Sequence, residues 1–432
     1  MHTARRTLSS IVVGLLTLAL VGCSSSSPDD TNSVTIGLLL PFTGADSATT
    51  SNFERAALYA AKRVNQGGGI GGKPLRIVSR DTHSSLAAGQ RSAEWLIDAG
   101  AKAIIGPESA AIAPALYPLL TENQVALLSP LIGAGEEPEE PAFDCKTPWF
   151  RLAPSAKTMG EHLAKLIASQ NVKEVAIIYA NDAYNEALTS ALRKLFVSRG
   201  GSVPLELKVD PDAQSYAGIV QTAVAQGVTA VVLATSARAG ALLVNEFDAL
   251  SAQHVQWFLS PLLKTELLVA NVAPDALDGA QGVAPKLFNM DTEFSDAFAE
   301  QWQGDQPLEG AYFYYDAVAL LALALQKAAV RPVDAGTGDL QALAAAIEEV
   351  AAPLGEAAGW NEVETGLAGI RNGDDCTTDP ARPCIYYTGL TGPMLLAGPT
   401  CSVTGRCFAT CGGRLQGDKS LFSVENGRIV NQ

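Results

Sequence analysis

The segment VTIGLLLPFTG, residues 34–44, begins a regular alternation of elements that continues to residue 107. Its opening run is mostly β-branched or leucine, and the PFTG that follows interrupts it with turn-forming residues. This pattern predicts a strand buried on both faces. The segments PLRIVSRD at 74–81 and AKAIIGP at 101–107 predict two further strands, with helices between the strands.

A helix is predicted to begin at about Ser51, because Ser51 and Glu54 have the S-x-x-E spacing of a capping box. It is predicted to end in GGGIGGK, residues 67–73. That stretch contains the G-x4-G-K spacing of a phosphate-binding loop, but Pro74 replaces the required Ser or Thr, and the glycines follow a helix instead of a strand. We therefore interpret the stretch as a helix C-cap and turn.

The same rhythm continues along the chain. Further strands are predicted near residues 125–130, 175–179, 203–209, 230–235 and 255–260. An apolar helix is predicted over residues 312–329, and residues 421–430 are predicted to form a hairpin around an Asn-Gly turn. Alternating strands and helices predict an α/β fold with mostly parallel sheets covered on both faces, in which ligands bind at the carboxyl ends of the strands.

A series of motifs resembles the type I periplasmic binding proteins, and in particular their leucine/isoleucine/valine-binding members. In order, the motifs are PFTG at 41–44, the segment 56–81, AIIGPESA at 103–110, LLSP at 127–130, FRLAPSA at 150–156, VAIIYANDAY at 175–184, the segment 312–328 and GLTGP at 389–393. The resemblance implies two Rossmann-like lobes joined by a hinge. Hinge closure would bury a small molecule between the lobes, and a partner permease would recognise the closed form.

The domain organisation follows from length and from the resemblance. An exported chain of roughly 400 residues is too long for a single compact core. The resemblance implies a first lobe of residues 34–150 plus 284–390 and a second lobe of residues 151–283 plus 391–432. Residues 371–413 depart from the family, because a cysteine-rich insertion interrupts the expected turn into the last strands.

The amino-terminal residues are predicted to direct export. Arg5 and Arg6 precede an apolar run, residues 11–21, that is too short to span a bilayer. Such a segment is typical of a signal peptide, which we place at residues 1–22. Export would carry the protein to the periplasmic side of the cell envelope.

A lipid anchor is predicted directly after this leader. The sequence LVGC, residues 20–23, matches a bacterial lipobox, in which Cys23 becomes the lipidated first residue. An ordinary signal peptide with an incidental cysteine is the alternative. Residues 23–33 are Ser-rich and polar, so we expect a flexible tether between the lipid and the folded protein.

Composition argues against several classes of function. The chain carries 30 basic and 45 acidic residues, a net charge of −15, which disfavours binding to nucleic acid or to anionic membrane surfaces. We expect membrane contact only through the N-terminal lipid, and we expect a monomer. The histidines beyond the leader, His83, His162 and His254, belong to no nucleophile or metal motif. No enzyme activity, cofactor or metal is therefore expected.

The cysteines beyond Cys23 are even in number, which in an oxidising compartment predicts up to three disulfides. Cys376 and Cys384 flank a short loop, and theirs is the pairing that we predict. A zinc site is the alternative, but the spacing of Cys407 and Cys411 is supported by no C-x2-C pair and no nearby histidine. The disulfide candidates are Cys145, Cys376, Cys384, Cys401, Cys407 and Cys411.

In the amino-acid-binding relatives that the chain resembles, two hydroxyls hold the ligand carboxylate and an acid pairs with the ligand ammonium. The resemblance places the hydroxyl positions on Ala110, with Ser109 one residue early, and on Gly133. It places the acid near Leu262. A buried ammonium without a charged partner is costly. We therefore predict weak or absent binding of leucine, isoleucine and valine.

The polar groups that remain at the predicted strand ends are neutral and suit a carboxylate or an uncharged polar ligand. Tyr184 falls where the family has an aromatic wall of the cleft, although a partly buried structural tyrosine is the alternative. For Ser109 the alternative is a helix cap. The full set of predicted ligand contacts is Thr43, Thr49, Ser109, Ala110, Ser129, Leu131, Gly133, Tyr184, Ser236 and Leu262.

These inferences predict a lipid-anchored solute-binding protein of an ABC-type importer. Its ligand is expected to be a small polar molecule, either an amino acid or a related organic acid or amide, delivered to a permease in the inner membrane. The alternative is a lipid-anchored sensor or regulator that uses the same fold without transport.

Overall fold

The computed structural model of the protein describes residues 32–44, 47–109, 111–131, 149–250, 254–285, 292–330, 339–352, 355–374, 384–393 and 419–431. The leader, the lipobox and every cysteine except Cys384 lie outside these residues. Cys384 is disulfide-bonded. Its predicted pairing with Cys376, the cysteine-rich insertion and the lipid anchor on Cys23 stay predictions.

The first main sheet has five parallel strands in the order β2-β1-β3-β4-β5. Strands β1 and β4 are buried along almost their whole length, because helices cover both faces of the sheet. The strands are β1 (Val34–Leu40), β2 (Leu75–Asp81), β3 (Ala101–Ile105), β4 (Ala126–Ser129) and β5 (Trp149–Arg151).

The second main sheet has seven strands in the order β15-β14-β10-β9-β8-β6-β7. Its strands are parallel except for β14, which runs antiparallel to β10, and β15, which runs antiparallel to β14. The strands are β6 (Glu174–Ala180), β7 (Ser202–Val209), β8 (Ala230–Ala234), β9 (Gln256–Leu259), β10 (Gln281–Pro285), β14 (Lys419–Glu425) and β15 (Arg428–Asn431).

A small third sheet has the order β11-β12-β13, with β11 at Glu356–Gly359, β12 at Ile385–Gly389 and β13 at Gly392–Pro393. The helices cover the faces of the main sheets. They are α1 (Thr50–Gln66), α2 (Leu86–Asp98), α3 (Ile112–Ala115), α4 (Tyr117–Glu122), α5 (Ala156–Ser169), α6 (Ala183–Ser198), α7 (Ala217–Ala225), α8 (Ala237–Leu250), α9 (Glu266–Val269), α10 (Thr292–Gln301), α11 (Glu309–Val330), α12 (Asp339–Ala351) and α13 (Val363–Arg371).

Helix α11 is the centre of the core around the first sheet. Its apolar residues pack in one cluster with β1, α1 and helices α10, α12 and α13. Within the part of the chain that the structure describes, α11 is the one helix long and apolar enough to cross a membrane, and 78% of its apolar stretch is buried inside the protein. This degree of burial is typical of a core helix, which confirms the apolar core helix predicted over residues 312–329.

We call the elements around the five-stranded sheet the first lobe and those around the seven-stranded sheet the second lobe. Strand pairing moves the predicted boundaries by a few residues. Arg151 still pairs within the first sheet, β10 keeps Pro285 in the second sheet, and β13 pairs with β12. The predicted limits at 150, 283 and 390 follow from the resemblance, whereas the backbone hydrogen bonds of the strands extend past them.

Two turn predictions are confirmed and one capping prediction is wrong. The hairpin β14–β15 turns at Asn426 and Gly427, which both have positive φ, as a type I′ turn requires. Helix α1 ends at Gln66 in the glycine-rich turn, as expected. Its start has no capping box, because the helix begins at Thr50 and the Glu54 carboxylate instead accepts a hydrogen bond from Ser79 Oγ at 2.5 Å.

Candidate functional site

The carboxyl ends of β1 and β2 meet in a polar cluster at the edge of the first sheet. Asp81 accepts hydrogen bonds from Thr43 Oγ1 at 2.7 Å and from the His83 backbone N–H at 2.7 Å. His83 Nδ1 lies 2.6 Å from Thr43 Oγ1 and 3.0 Å from Asp81. Partial burial opposes ionisation, but these hydrogen bonds outweigh it and lower the pKa of Asp81. Thr43 is thus exposed at a strand end, as predicted, but its hydroxyl is engaged with Asp81.

The loop after β3 carries an acid that the sequence reasoning did not select. Glu108 accepts a hydrogen bond from the hydroxyl of Tyr314, a fully buried residue of α11. Tyr314 in turn stacks on Phe53 of α1, with ring centroids 5.1 Å apart. Glu108 is therefore held in place by the first-lobe core, one residue before Ser109.

Ser109 caps the short helix that follows this loop. Its Oγ accepts from the backbone N–H groups of Ala111 and Ile112, at 3.3 and 3.4 Å. The capping alternative for Ser109 therefore describes the structure. A hydroxyl that accepts from the backbone still has a proton to donate, so a ligand contact stays a prediction.

Ser129 has a structural role that replaces its predicted ligand contact. The residue is fully buried. Its Oγ accepts a hydrogen bond from Trp149 Nε1 at 2.8 Å and donates one to the Gly106 carbonyl at 3.3 Å. The hydroxyl therefore joins the ends of β3, β4 and β5 inside the first lobe, where both of its hydrogen-bonding functions are in use.

Two other predicted contacts of the first lobe differ from each other in exposure. Thr49 is exposed at the start of α1 and makes no capping hydrogen bond. Leu131 is partly buried against the first-lobe core. Its side chain lies beside Gly310, where a Cβ would meet Leu131 at 2.9 Å. Ala110 and Gly133 lie outside the described residues.

Tyr184 lies in the first turn of α6, at the carboxyl end of β6. It is partly buried against the core of the second lobe, and burial raises the pKa of its hydroxyl. The turn is fixed by Asp182, whose carboxylate caps α6 by accepting from the Asn185 N–H at 2.9 Å. The aromatic-wall and structural alternatives both fit this position.

Ser236 and Leu262 follow β8 and β9, which are neighbouring strands of the second sheet. Ser236 is exposed, and its Oγ accepts from the Ala239 N–H at 3.4 Å at the start of α8. Leu262 has 49% of its surface exposed in a short turn after β9. The position that the resemblance assigns to an acid thus presents an apolar side chain to solvent.

Two buried hydroxyls lie at these same strand ends. Thr235 directly follows β8 and Ser260 directly follows β9, and both side chains are completely buried. Neither Thr235 Oγ1 nor Ser260 Oγ has a hydrogen-bond partner among the described residues. Buried hydroxyls without partners are uncommon in folded proteins.

An ion pair connects the two lobes near this point. Lys264, in the loop after β9, has only 5% of its side chain exposed, and its Nζ lies 2.9 Å from Glu309 Oε1. Glu309 is the first residue of α11 and has 47% of its side chain exposed. The sequence reasoning selected neither residue. Lys264 and Glu108 are charged residues that lie a few positions after strands, and this sequence signal could have identified them. The sequence around Glu309 contains no comparable signal.

A family model described as periplasmic binding protein matches residues 33–361 of the chain. The chain is also similar to the Leu/Ile/Val-binding protein homolog 3 of Brucella melitensis, with 24% identity over 229 residues. That match covers 53% of this chain and spans about 60% of the length of the relative.

Solved structures share the fold at low identity. One is the branched-chain amino acid transporter substrate-binding protein of Streptococcus pneumoniae in complex with isoleucine, with a TM-score of 0.66, 16% identity and coverage of 93% of this chain and all of that one (100%). Another is an ABC transporter solute-binding protein of R. palustris in complex with benzoate, with a TM-score of 0.63, 16% identity and coverage of 92% and 95%. At such identities the likeness speaks for the fold alone.

Proposed function

Because the chain belongs to the periplasmic binding protein family, as a type I member related to the Leu/Ile/Val-binding proteins, we propose that it is the extracytoplasmic solute-binding protein of an ABC-type importer. It captures a small polar molecule between its lobes and closes around it by hinge motion. The observation that carries this proposal is the Lys264–Glu309 ion pair, which joins the loop after β9 in the second lobe to the start of α11 in the first lobe.

The ligand in this proposal is a small organic acid or an amide, because an α-amino acid would bury its ammonium group without a charged partner. Recognition of an α-ammonium needs a buried acid, and Leu262 at the corresponding position is an exposed apolar residue. Relatives of this fold are known with isoleucine and with benzoate. The fold therefore accepts ligands with and without an ammonium group.

The proposal includes anchoring by lipid at Cys23 on the periplasmic side of the cell envelope, with an inner-membrane permease as partner. An anchored receptor stays close to its permease while the tether of residues 23–33 lets it reorient. Support for this part comes from the lipobox and the Ser-rich segment alone.

A thermal-shift screen of the mature chain tests the proposal. The compounds are leucine, isoleucine and valine, a set of small organic acids, and the amides of those acids. A ligand at a hundred times its Kd stabilises the folded state by about 2.7 kcal/mol. We expect such a shift with at least one acid or amide and none with leucine.

Tyr184→Ala supplies the matched variant, because Tyr184 is a predicted cleft residue, and Tyr386→Ala is the control in the small third sheet. The ligand-induced shift should fall in the first variant and persist in the second. A shift with leucine that disappears in Tyr184→Ala, together with no response to acids and amides, would show that the ammonium partner has been misplaced.

A further inference from the structure

Lys264 is a cation held almost entirely away from water. Its side chain is 5% exposed, and the described residues give it one close carboxylate, that of Glu309 at 2.9 Å. Removing an ammonium from water is costly unless an anion and hydrogen bonds compensate. The second lobe therefore maintains a site that requires an anion at the end of β9.

The ion pair lies between the carboxyl ends of the two sheets. Lys264 belongs to the loop after β9, whereas Glu309 opens α11. The next residue, Gly310, lies against Phe53 of α1 and against Leu131, which follows the end of β4. The carboxylate thus reaches Lys264 from the side of the first lobe on which β4 ends.

Two neutral hydrogen-bonding groups at the same edge of the second sheet have no hydrogen-bond partner among the residues that the structure describes. Ser260 precedes Lys264 in the same loop, and its buried Oγ neither caps the turn that follows nor forms a hydrogen bond with another described residue. Thr235, which directly follows the neighbouring strand β8, is also buried and has no hydrogen-bond partner within the described ranges. Hydroxyl donors and an ammonium that follow neighbouring strands of one sheet suit a carboxylate, which only accepts hydrogen bonds.

The two members of the ion pair differ in how easily they can be released. Glu309 is 47% exposed and can return to water with little change in its solvation, whereas Lys264 cannot. A carboxylate that arrives from solution can therefore take the place of Glu309 without leaving a charge buried and unpaired.

We propose that Lys264 is the specificity-determining cation of a carboxylate subsite at the end of β9 in the second lobe, and that Glu309 occupies this subsite when no ligand is bound. The inference rests on the proposed solute-binding function and narrows its ligand to small organic acids. In this arrangement the second lobe binds the carboxylate of the ligand, and the ligand does not need an ammonium group.

Calorimetry on the mature chain tests the proposal, with short aliphatic and aromatic monocarboxylates as probes and their primary amides as neutral counterparts. The variants are Lys264→Met, Lys264→Arg and Glu309→Gln. Lys208→Met is the matched control, because Lys208 forms an ion pair with Glu186 on the surface of the same lobe.

We expect the wild type to bind an acid at least tenfold more tightly than its amide. Lys264→Met should lose this preference, Lys264→Arg should retain most of it, and Lys208→Met should leave it unchanged. Glu309→Gln should bind the acid severalfold more tightly, because the competing carboxylate is gone. A merely structural ion pair would instead give weaker binding in both Glu309→Gln and Lys264→Met.

Circular dichroism and the unliganded melting temperature establish that each variant is folded before its affinity is compared. If the wild type binds acids, amides or amino acids and folded Lys264→Met binds them equally well, the inference is overturned while the proposed function stands. If no compound of any class binds the wild type, the proposed function fails and the inference fails with it.

Discussion

Inside the first lobe, the hydroxyl of Tyr387 donates a hydrogen bond to the Asp316 carboxylate at 2.7 Å. The carboxylate also accepts from the backbone N–H of Leu390 and from both the N–H and the hydroxyl of Thr391, at 2.7 to 2.9 Å. The GLTGP motif therefore wraps around a fully buried acid of α11. A Cβ at Gly389 would lie 2.3 Å from Asp316 Oδ1, so glycine is required for this close approach.

Replacing Asp316 by Ala should strongly destabilise the protein. The change leaves buried donors of Tyr387, Leu390 and Thr391 without an acceptor, and each buried unsatisfied group costs about 1–3 kcal/mol. We expect a total loss of at least about 3 kcal/mol, measured by urea denaturation. Thr388→Ala, on the same strand as Tyr387, is the control. Equal losses in the two variants would contradict the role of the buried acid.

The pH dependence of this site has a defined sign. Burial raises the pKa of Asp316, against the opposing effect of its hydrogen bonds. An acid with a raised pKa in the folded state stabilises the protein below its unfolded pKa, about 3.9, and this contribution is lost as the pH rises through the folded pKa. The stability difference between wild type and Asp316→Asn should therefore widen as the pH falls from neutral towards 4. A gap that narrows would contradict the raised pKa.

Thr43→Val should destabilise the protein by about 1 kcal/mol at pH 7, because it removes a hydrogen bond to the ionised Asp81. The pKa of Asp81 is lowered, so this contribution is present above the unfolded pKa and lost as the pH falls through the folded pKa. Urea denaturation at pH 7 and pH 3 measures the difference, which should shrink at the lower pH. Thr49→Val, which removes an exposed hydroxyl without a capping bond, should cost much less.

Gly160→Ala in α5 should destabilise the second lobe by about 1–3 kcal/mol, as overpacking does. A Cβ at Gly160 would lie 2.1 Å from the backbone carbonyl oxygen of Leu188 in α6, and helix backbones cannot yield cheaply. Gly218→Ala in α7 is the matched control, because nothing lies within 4 Å of its Cβ. It should be neutral or stabilise the protein by up to about 1 kcal/mol. Thermal unfolding of both variants measures these effects.

Cys23 should carry the lipid in the mature protein, because LVGC at residues 20–23 follows a short apolar run. Mass spectrometry of the N-terminus checks this directly. Cys23→Ser should release unprocessed precursor or soluble exported protein. An unmodified N-terminus at any other residue would rule out the anchor.

The elements of the second lobe were predictable because buried parallel strands are short apolar runs between turn residues. The strand predicted at 230–235 is β8 at Ala230–Ala234, and the one at 175–179 is β6 at Glu174–Ala180. The capping box at Ser51 failed because Glu54 found a better partner in Ser79 on β2. The local sequence around residues 51–54 cannot reveal a tertiary contact of this kind.

The site was less predictable than the fold. The sequence identifies polar residues at strand ends. Whether each of these side chains is exposed to solvent or buried in the protein depends on tertiary packing, which the sequence does not show. Ser129 is buried and has Trp149 as its hydrogen-bond partner, whereas Ser260, which the sequence did not single out, is buried without a partner in the described part of the chain. The Lys264–Glu309 pair joins residues of two different lobes. Only the folded chain brings them together.

Helix α11 also constrains the order in which the protein can assemble. It packs on α1, and α1 is joined to α13 by the Arg63–Glu364 ion pair at 2.6 Å, between residues 301 positions apart in the sequence. Strands β6 to β10, in contrast, are nearly contiguous in sequence. Contacts between distant segments form slowly, and synthesis delivers the amino-terminal part first. The aromatic face of α1 therefore stays exposed until residues 309 and beyond have been synthesised. We expect the nascent chain to be most prone to aggregation in this first lobe.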